Sequence, residues 1–128
     1  MSEMSNYLEN ALVNATLRAI TYTAPTKVYL ALYLTDPTDS DVGTEVSGGS
    51  YARQPITFSA PSNGLTSNSV AIEFPQATAS WGTVAYIGIR DSLTGGNLLY
   101  HTALDASKEI GIDDVFKITA GNLSVTLS

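Results

Sequence analysis

The pattern of hydrophobic and polar positions predicts its clearest β-strand over residues 27–35. Aliphatic side chains take every second position and form one face, while two tyrosines and an alanine form the other: Val28, Leu30, Leu32 and Leu34 against Tyr29, Ala31 and Tyr33. A period of two is typical of a strand. The tyrosines indicate that the second face is half-buried, or is buried by a partner.

Residues 80–104 predict a β-hairpin, because two apolar runs with the same period flank a Gly-Gly turn at residues 91–96. The first run is predicted to divide into two faces: Trp81, Thr83, Ala85, Ile87 and Ile89 against Gly82, Val84, Tyr86, Gly88 and Arg90. Both faces carry large apolar groups, so we expect central strands that are covered on both sides. Trp81 is the expected core anchor.

Residues 5–20 predict the one helix, within an N-terminal arm of about residues 1–22. Ser5 can cap the helix, and Glu9 suits the positive end of the helix dipole. The apolar residues at helical spacing form one narrow stripe: Leu8, Ala11, Leu12, Ala15 and Ala19. This stripe is expected to pack either on the sheet of its own chain or on a neighbouring subunit.

Shorter strands are predicted over residues 51–58, 69–74, 115–119 and 123–127, with turns between them. Pro55 places its strand at a sheet edge or at a bulge. A turn is expected at residues 105–108 before a short run at 109–112, and the last two strands are predicted to form a terminal hairpin. The resulting seven or eight short strands after one helix predict a mainly β fold. We expect a single antiparallel β-sandwich, jelly-roll-like or Ig-like, over residues 1–128, with a closed barrel as the weaker alternative.

Composition limits the classes of function. The chain has 128 residues, a net charge of −6 and only six lysines and arginines, which argues against binding nucleic acid or anionic membranes. It has no cysteine, and therefore no disulfide or thiolate nucleophile. We see no segment with the length of a membrane span and no signal-peptide start. The expectation is a soluble protein made in the cytoplasm.

Residues 36–50 predict a long polar loop of the kind that is usually functional or mobile. Its carboxylates could in principle hold Ca²⁺: Asp36, Asp39, Asp41 and Glu45. The spacing only partly follows an EF-hand loop, because no helix precedes it and the twelfth position lacks Glu. Solvated carboxylates are the favoured interpretation.

His101 could act as a general base, but the sequence offers neither a nucleophile elbow nor a second histidine for a metal site. A histidine at the margin of the sheet surface is the favoured interpretation. Trp81 and the tyrosines could form a sugar platform, yet their scatter among strands favours core or interface roles. We therefore predict no catalytic residue, no cofactor and no metal.

Several blocks of the sequence carry a family resemblance. The most specific are residues 44–54, and residues 79–91 with 95–99; they include TEVSGGSYARQ, WGTVAYIGIRD and GGNLL. Over residues 5–128 the chain resembles small virion proteins of tailed phages, labelled tail fibre proteins. It is also similar to capsid decoration, or cement, proteins of some long-tailed phages, including cyanophages. The resemblance implies a virion protein assembled in the host cytoplasm, without catalytic residues.

A receptor-binding fibre usually has a long shaft, and the sequence shows neither repeats nor heptads. We therefore expect a non-enzymatic decoration protein that binds the major capsid protein and copies of itself, as a homotrimer. The predicted contacts lie in the arm and the acidic loop: Tyr7, Leu8, Leu12, Asp36, Asp39, Asp41 and Glu45. The alternative is a tail fibre or baseplate component that contacts the host surface, with Trp81 or the tyrosines meeting sugar. A hydrolase using His101 is the third hypothesis.

Overall fold

A computed structural model describes residues 3–127. The first two residues of the predicted arm, and Ser128 at the end of the predicted domain, lie outside the described residues. Helix α1 covers Asn6–Leu17. The described chain contains nine strands: β1 (Glu3–Met4), β2 (Val28–Tyr33), β3 (Gln54–Ile56), β4 (Leu65–Ser67), β5 (Ile72–Glu73), β6 (Gly82–Arg90), β7 (Leu98–Ile110), β8 (Lys117–Ile118) and β9 (Ser124–Thr126).

The strands form one large and two small antiparallel sheets. The large sheet is open, with the order β1-β7-β6-β2-β3, and the small sheets pair β4 with β9 and β5 with β8. The mainly β fold with one N-terminal helix is therefore confirmed, as is the hairpin of β6 and β7. Pro55 lies in β3 at the sheet edge, as its missing N–H donor predicts.

The main core lies between one face of the large sheet and the two small sheets. It combines aliphatic side chains from both sides, among them Leu30, Leu32, Ile72, Ile87, Ile89 and Val125. Trp81 is the core anchor that the sequence predicts: its ring meets Tyr51 and Phe74 edge-on, and its Nε1–H donates to Gly49 O at 2.9 Å. Since Trp81 is buried, it cannot serve as a sugar platform.

The strict alternation predicted for the first hairpin strand is wrong at one point. A register shift lies between Val84 and Tyr86, where residues 104–107 of β7 stand opposite Ala85 alone. At this β-bulge the side chains of β6 stop alternating strictly between the two faces. Val84 and Ile87 therefore both lie in the core. The turn predicted at residues 105–108 is therefore wrong: residues 105–107 belong to this bulge, Lys108 pairs with Val84, and β7 continues to Ile110.

The predicted terminal hairpin is also wrong, because β8 pairs with β5 and β9 pairs with β4. Instead of pairing with each other, β8 and β9 are joined by a segment that forms hydrogen bonds with the buried Asn68. Its Nδ2 donates to Thr119 O at 3.1 Å, and its Oδ1 accepts from Leu123 N–H at 2.9 Å. The Asn68 backbone bonds the same segment, since its N–H donates to Leu123 O and its C=O accepts from Gly121 N–H.

The second face of the large sheet is also covered, since α1 contacts β7 and Ala31 of β2 is fully buried on that face, which confirms that the central strands are buried on both sides. Tyr33 on this face is 1% exposed within its own chain, so the expectation of a half-buried face is wrong there. Packing is close: a Cβ at Gly88 would lie 2.8 Å from both Leu98 Cδ1 and Tyr33 Cε1. Only glycine fits at that point of β6.

Helix α1 begins as predicted, since the Ser5 hydroxyl accepts from Leu8 N–H at 3.2 Å and also donates to Leu98 O. It ends at Leu17, before the predicted Ile20, because Ala19 takes a left-handed φ of 55°. Leu8 is buried, and α1 contacts β7 of the same chain. The predicted stripe thus packs on its own sheet at Leu8 and is half-buried at Ala11, Leu12 and Ala15, while Ala19 is exposed beyond the helix end. In the described part of the chain, no helix has the length and apolar character of a membrane span.

Candidate functional site

The acidic loop is ordered by hydrogen bonds with strand β2. It leaves β2 after Tyr33 and returns antiparallel beside it, with Leu34 N–H donating to Thr44 O at 2.8 Å and Val46 N–H donating to Leu32 O at 3.0 Å. Pro37 is buried within the loop. A loop held in this way keeps its carboxylates in fixed positions.

Asp41 forms a two-point ion pair with Arg90 of β6. The guanidinium donates from Nη1 to Oδ1 at 2.7 Å and from Nη2 to Oδ2 at 2.9 Å, and it also donates to Tyr33 Oη at 2.9 Å. Burial by itself would lower the pKa of Arg90, but these bonds to Asp41 and Tyr33 outweigh it and raise that pKa. Burial raises the pKa of Tyr33. Arg90 therefore stays charged and Tyr33 stays neutral.

Glu45 forms a second two-point pair, with Arg53. Arg53 Nε donates to Oε2 at 2.9 Å and Nη2 donates to Oε1 at 2.8 Å, while the Tyr51 hydroxyl donates to Oε2 at 2.6 Å. Burial by itself would raise the pKa of Glu45, but the bonds from Arg53 and Tyr51 outweigh it and lower that pKa. Burial and the bond to Glu45 raise the pKa of Tyr51.

Both arginines also bind the turn of the β6–β7 hairpin. Arg53 Nη1 donates to the carbonyls of Ser92 and Gly95 at 2.9 Å, and Arg90 donates to those of Gly95 at 3.3 Å and Gly96 at 3.0 Å. The acidic loop and the hairpin turn therefore form one charged unit, which we call the loop end of the sheet. Two-point pairing to arginine fixes both Asp41 and Glu45, so the interpretation as free solvated carboxylates is wrong for Glu45, while Asp41 is paired and still 35% exposed.

His101 is not at the sheet surface as predicted: it lies within β7, beside the edge strand β1, and is 5% exposed. Its Nε2 faces two carboxylates, Asp39 Oδ1 at 2.7 Å and Glu3 Oε2 at 3.8 Å, while Asp36 Oδ1 lies 4.0 Å from Nδ1. Among the described residues, Glu3, Asp39 and His101 bring together three potential metal-ligand atoms within 4.8 Å of one another.

The four loop carboxylates do not form the shared calcium site considered above. Asp41 and Glu45 bind arginines, Asp39 binds His101, and Asp36 accepts a hydrogen bond from Thr38 N–H at 2.9 Å. The loop therefore uses its charges to join separate segments of the chain.

The predicted contacts in the arm divide between the two sides of α1. Tyr7 is exposed, Leu12 is half-buried, and Leu8 is buried against its own chain, so Leu8 is closed to a neighbouring subunit in this packing. Away from Leu8, the helix carries two exposed apolar residues, Val13 and Leu17, and a third, Ile20, follows just after the helix end; they are 51%, 79% and 45% exposed. We call these three residues the outer helix face.

Sequence reasoning missed the outer helix face and the two arginines. The spacing i, i+4 of Val13 and Leu17 was a usable signal for the face. For Arg53 and Arg90, the signal was their place in predicted strands among apolar residues, because a buried arginine needs an acidic partner. With twelve acidic residues and six basic ones, the chain offers such partners in excess. Which acid each arginine meets depends on the fold.

Comparison with known families shows which family this chain belongs to. A family model described as "Podophage GP4 fiber I protein gp80" matches residues 3–126, nearly the whole chain. The chain belongs to this family. The resemblance to small tailed-phage virion proteins is thereby confirmed, and the protein is a fibre-type phage protein that belongs to the virion. No curated protein matches the chain.

Proposed function

We propose that this chain is a non-enzymatic structural subunit of a phage fibre, and that it docks on its neighbours through the outer helix face. The family description names a fibre protein, which supports this placement. The observation that carries the docking surface is Leu17: it is 79% exposed and lies one helical turn after the exposed Val13, with the exposed Ile20 just beyond the helix end. Burying a side chain of this kind stabilises a contact by about 1.5–3 kcal/mol.

The helix suits this task because its other side is fixed. Leu8 is buried, the Ser5 hydroxyl bonds both Leu8 N–H and Leu98 O, and Asn6 N–H donates to Asp39 O at 2.8 Å. A partner that binds the outer helix face would therefore meet a surface that is already ordered, which reduces the entropy cost of association. The neighbours in this proposal include copies of the same chain, arranged as a trimer.

The loop end of the sheet would then be the presented end of the subunit. Its backbone is held by the Arg53 and Arg90 pairs, so an exposed group such as Leu93 in the hairpin turn keeps its position. Buried charges that are paired in this way hold a loop in shape and leave no uncompensated charge. They fit a structural role better than a catalytic one, because their donors and acceptors are occupied.

The second candidate is a capsid decoration protein that binds the major capsid protein and stabilises the head. The observation that favours it is the shape of the described chain: its one helix has 12 residues, about 18 Å, and forms no extended shaft. A compact domain with one apolar docking face fits a clamp on a shell as well as it fits a fibre subunit.

Imaging purified virions with an antibody or a tag on this protein tests both candidates. A fibre subunit gives density at the tail and a small copy number per particle by quantitative mass spectrometry. A decoration protein gives density over the head and a copy number comparable with that of the major capsid protein. Absence of the protein from purified virions would contradict both.

A further inference from the structure

We propose that Glu3, Asp39 and His101 form a site for a divalent transition-metal ion, best suited to Zn²⁺. The three donor atoms come from three separate parts of the chain: edge strand β1, the acidic loop and central strand β7. This inference does not depend on whether the protein is part of a fibre or of a capsid.

The distances between the donors fit one shared ion. Zinc binds imidazole nitrogen and carboxylate oxygen at about 2.0–2.2 Å, which places neighbouring donors of a tetrahedral site about 3.4 Å apart. His101 Nε2 is 2.7 Å from Asp39 Oδ1 and 3.8 Å from Glu3 Oε2, and the three atoms lie within 4.8 Å of one another. The two distances from His101 Nε2 would each change by less than about 1 Å around such an ion, with water completing the coordination.

Backbone contacts already hold the ligands in place. Glu3 stands directly opposite His101 in the β1–β7 ladder, and the Ser5 N–H donates to Leu99 O at 2.9 Å just beyond it. The Asp39 carbonyl accepts from Asn6 N–H at 2.8 Å, which fixes the loop beside the start of α1. Because little chain entropy remains to be lost, such a site can bind a metal with few ligands.

The surroundings of the imidazole also suit metal binding. The ring is buried, while the side chains of Glu3 and Asp39 are 66% and 45% exposed, so an ion can reach Nε2 from solvent. Asp36 Oδ1 lies 4.0 Å from Nδ1, on the side of the ring where a carboxylate commonly orients a metal-bound histidine. With His101 neutral, the ligand set carries two negative charges, which a divalent cation neutralises.

The donor types select the ion. An imidazole nitrogen with carboxylates suits Zn²⁺ and its neighbours in the transition series, whereas Ca²⁺ and Mg²⁺ prefer oxygen ligands alone. The proposed zinc site, which includes one carboxylate of the acidic loop, therefore replaces the calcium hypothesis. Ca²⁺ serves as the negative control in the binding experiment.

The experiment uses the full chain without a histidine tag, freed of metal by a chelator and titrated with ZnCl₂. Because the chain has one histidine and no cysteine, the imidazole NMR signals report on this site alone. We expect Zn²⁺, and not CaCl₂, to shift these signals and to raise the melting temperature with increasing concentration. The variants E3Q and D39N should each weaken Zn²⁺ binding at least about tenfold.

E109Q is the matched control, since it removes an exposed carboxylate from the far half of β7 and should bind Zn²⁺ as the wild type does. E3Q alters an exposed side chain on the edge strand, so its effect on binding can be measured in a folded protein. Unchanged imidazole signals with ZnCl₂ would overturn the proposal and leave the cluster as a hydrogen-bonded contact between His101 and Asp39. Wild-type affinity in both E3Q and D39N would overturn it equally.

Discussion

At the scale of single residues, the charged side chains at the loop end of the sheet act as connectors between distant segments. Arg53 joins Glu45 to the hairpin turn, and Arg90 joins Asp41 to the same turn. Each guanidinium meets several acceptors in a part-buried place. Removal of one partner would leave a charge without compensation, which costs more than the pair contributes.

The variant E45Q tests this role. It removes the charge that pairs with Arg53 while nearly keeping the shape of the side chain. We expect the free energy of unfolding to fall by about 2 kcal/mol at pH 7, as for other hydrogen bonds to charged groups. Denaturant unfolding measures the change, and E109Q, at an exposed position, should stay within about 0.5 kcal/mol of the wild type.

The difference in the free energy of unfolding between the wild type and E45Q should depend on pH. The pKa of Glu45 is lower in the folded chain than its ordinary value of 4.5, so the stabilisation is fully present above pH 4.5. It is lost as the pH falls through the lowered pKa, since the folded state then binds the proton as well. The gap between wild type and E45Q should therefore narrow below pH 4.5. A gap that stays constant down to pH 2 would contradict the assignment of the pKa shift to Glu45.

At the scale of secondary-structure elements, short strands depend on residues outside them. β8 and β9 follow each other in sequence, yet each pairs with a strand more than forty residues earlier, at Ile72–Glu73 and Leu65–Ser67. Asn68 bridges the gap between them with both of its side-chain polar atoms, and its backbone bonds the same segment. One buried side chain thus organises two small sheets.

The variant N68A should therefore destabilise the chain strongly. It removes hydrogen bonds to Thr119, Val70 and Leu123 from a position that is 1% exposed. We expect a loss of about 2–4 kcal/mol in the free energy of unfolding, because buried backbone groups lose their partners. The rate of amide hydrogen exchange should increase most around β8 and β9. The control N122A changes an exposed side chain in the adjacent turn, and an equal loss in that control would contradict the role of Asn68.

At the scale of the whole molecule, two features of the surface differ in character. The loop end of the sheet is polar and tied together by ion pairs, while the outer helix face presents Val13, Leu17 and Ile20 to solvent. Exposed apolar side chains that cluster on one face of an ordered helix indicate a contact surface. The proposed docking role therefore predicts an effect on assembly that is separate from folding.

The double variant V13S/L17S tests that separation. It should fold with nearly the wild-type melting temperature, because both side chains are already exposed. Its incorporation into virions should fall by about 30-fold, corresponding to the loss of about 2 kcal/mol of contact energy. Copies per particle by mass spectrometry give the measurement. I112S is the control, since Ile112 is equally apolar and 66% exposed in a turn. Wild-type incorporation of V13S/L17S would contradict the docking surface.

The sequence alone determined the features that depend on neighbouring residues. The alternation over residues 27–35 located β2 and its faces, Ser5 marked the start of α1, and Pro55 placed β3 at an edge. These are local rules, in which each residue acts on a backbone only a few positions away. Trp81 as a core anchor follows from the same kind of pattern, since a large apolar ring in a strand is most stable when buried.

Only the tertiary structure decided which distant residues meet. Asp41 and Arg90 are 49 positions apart, Asn68 and Thr119 are 51 apart, and Asp39 and His101 are 62 apart. No periodicity links such positions, so the sequence could not show that the loop carboxylates are paired or that His101 is buried. The bulge opposite Ala85 has the same origin, because it depends on how two strands are paired as well as on either strand's own pattern.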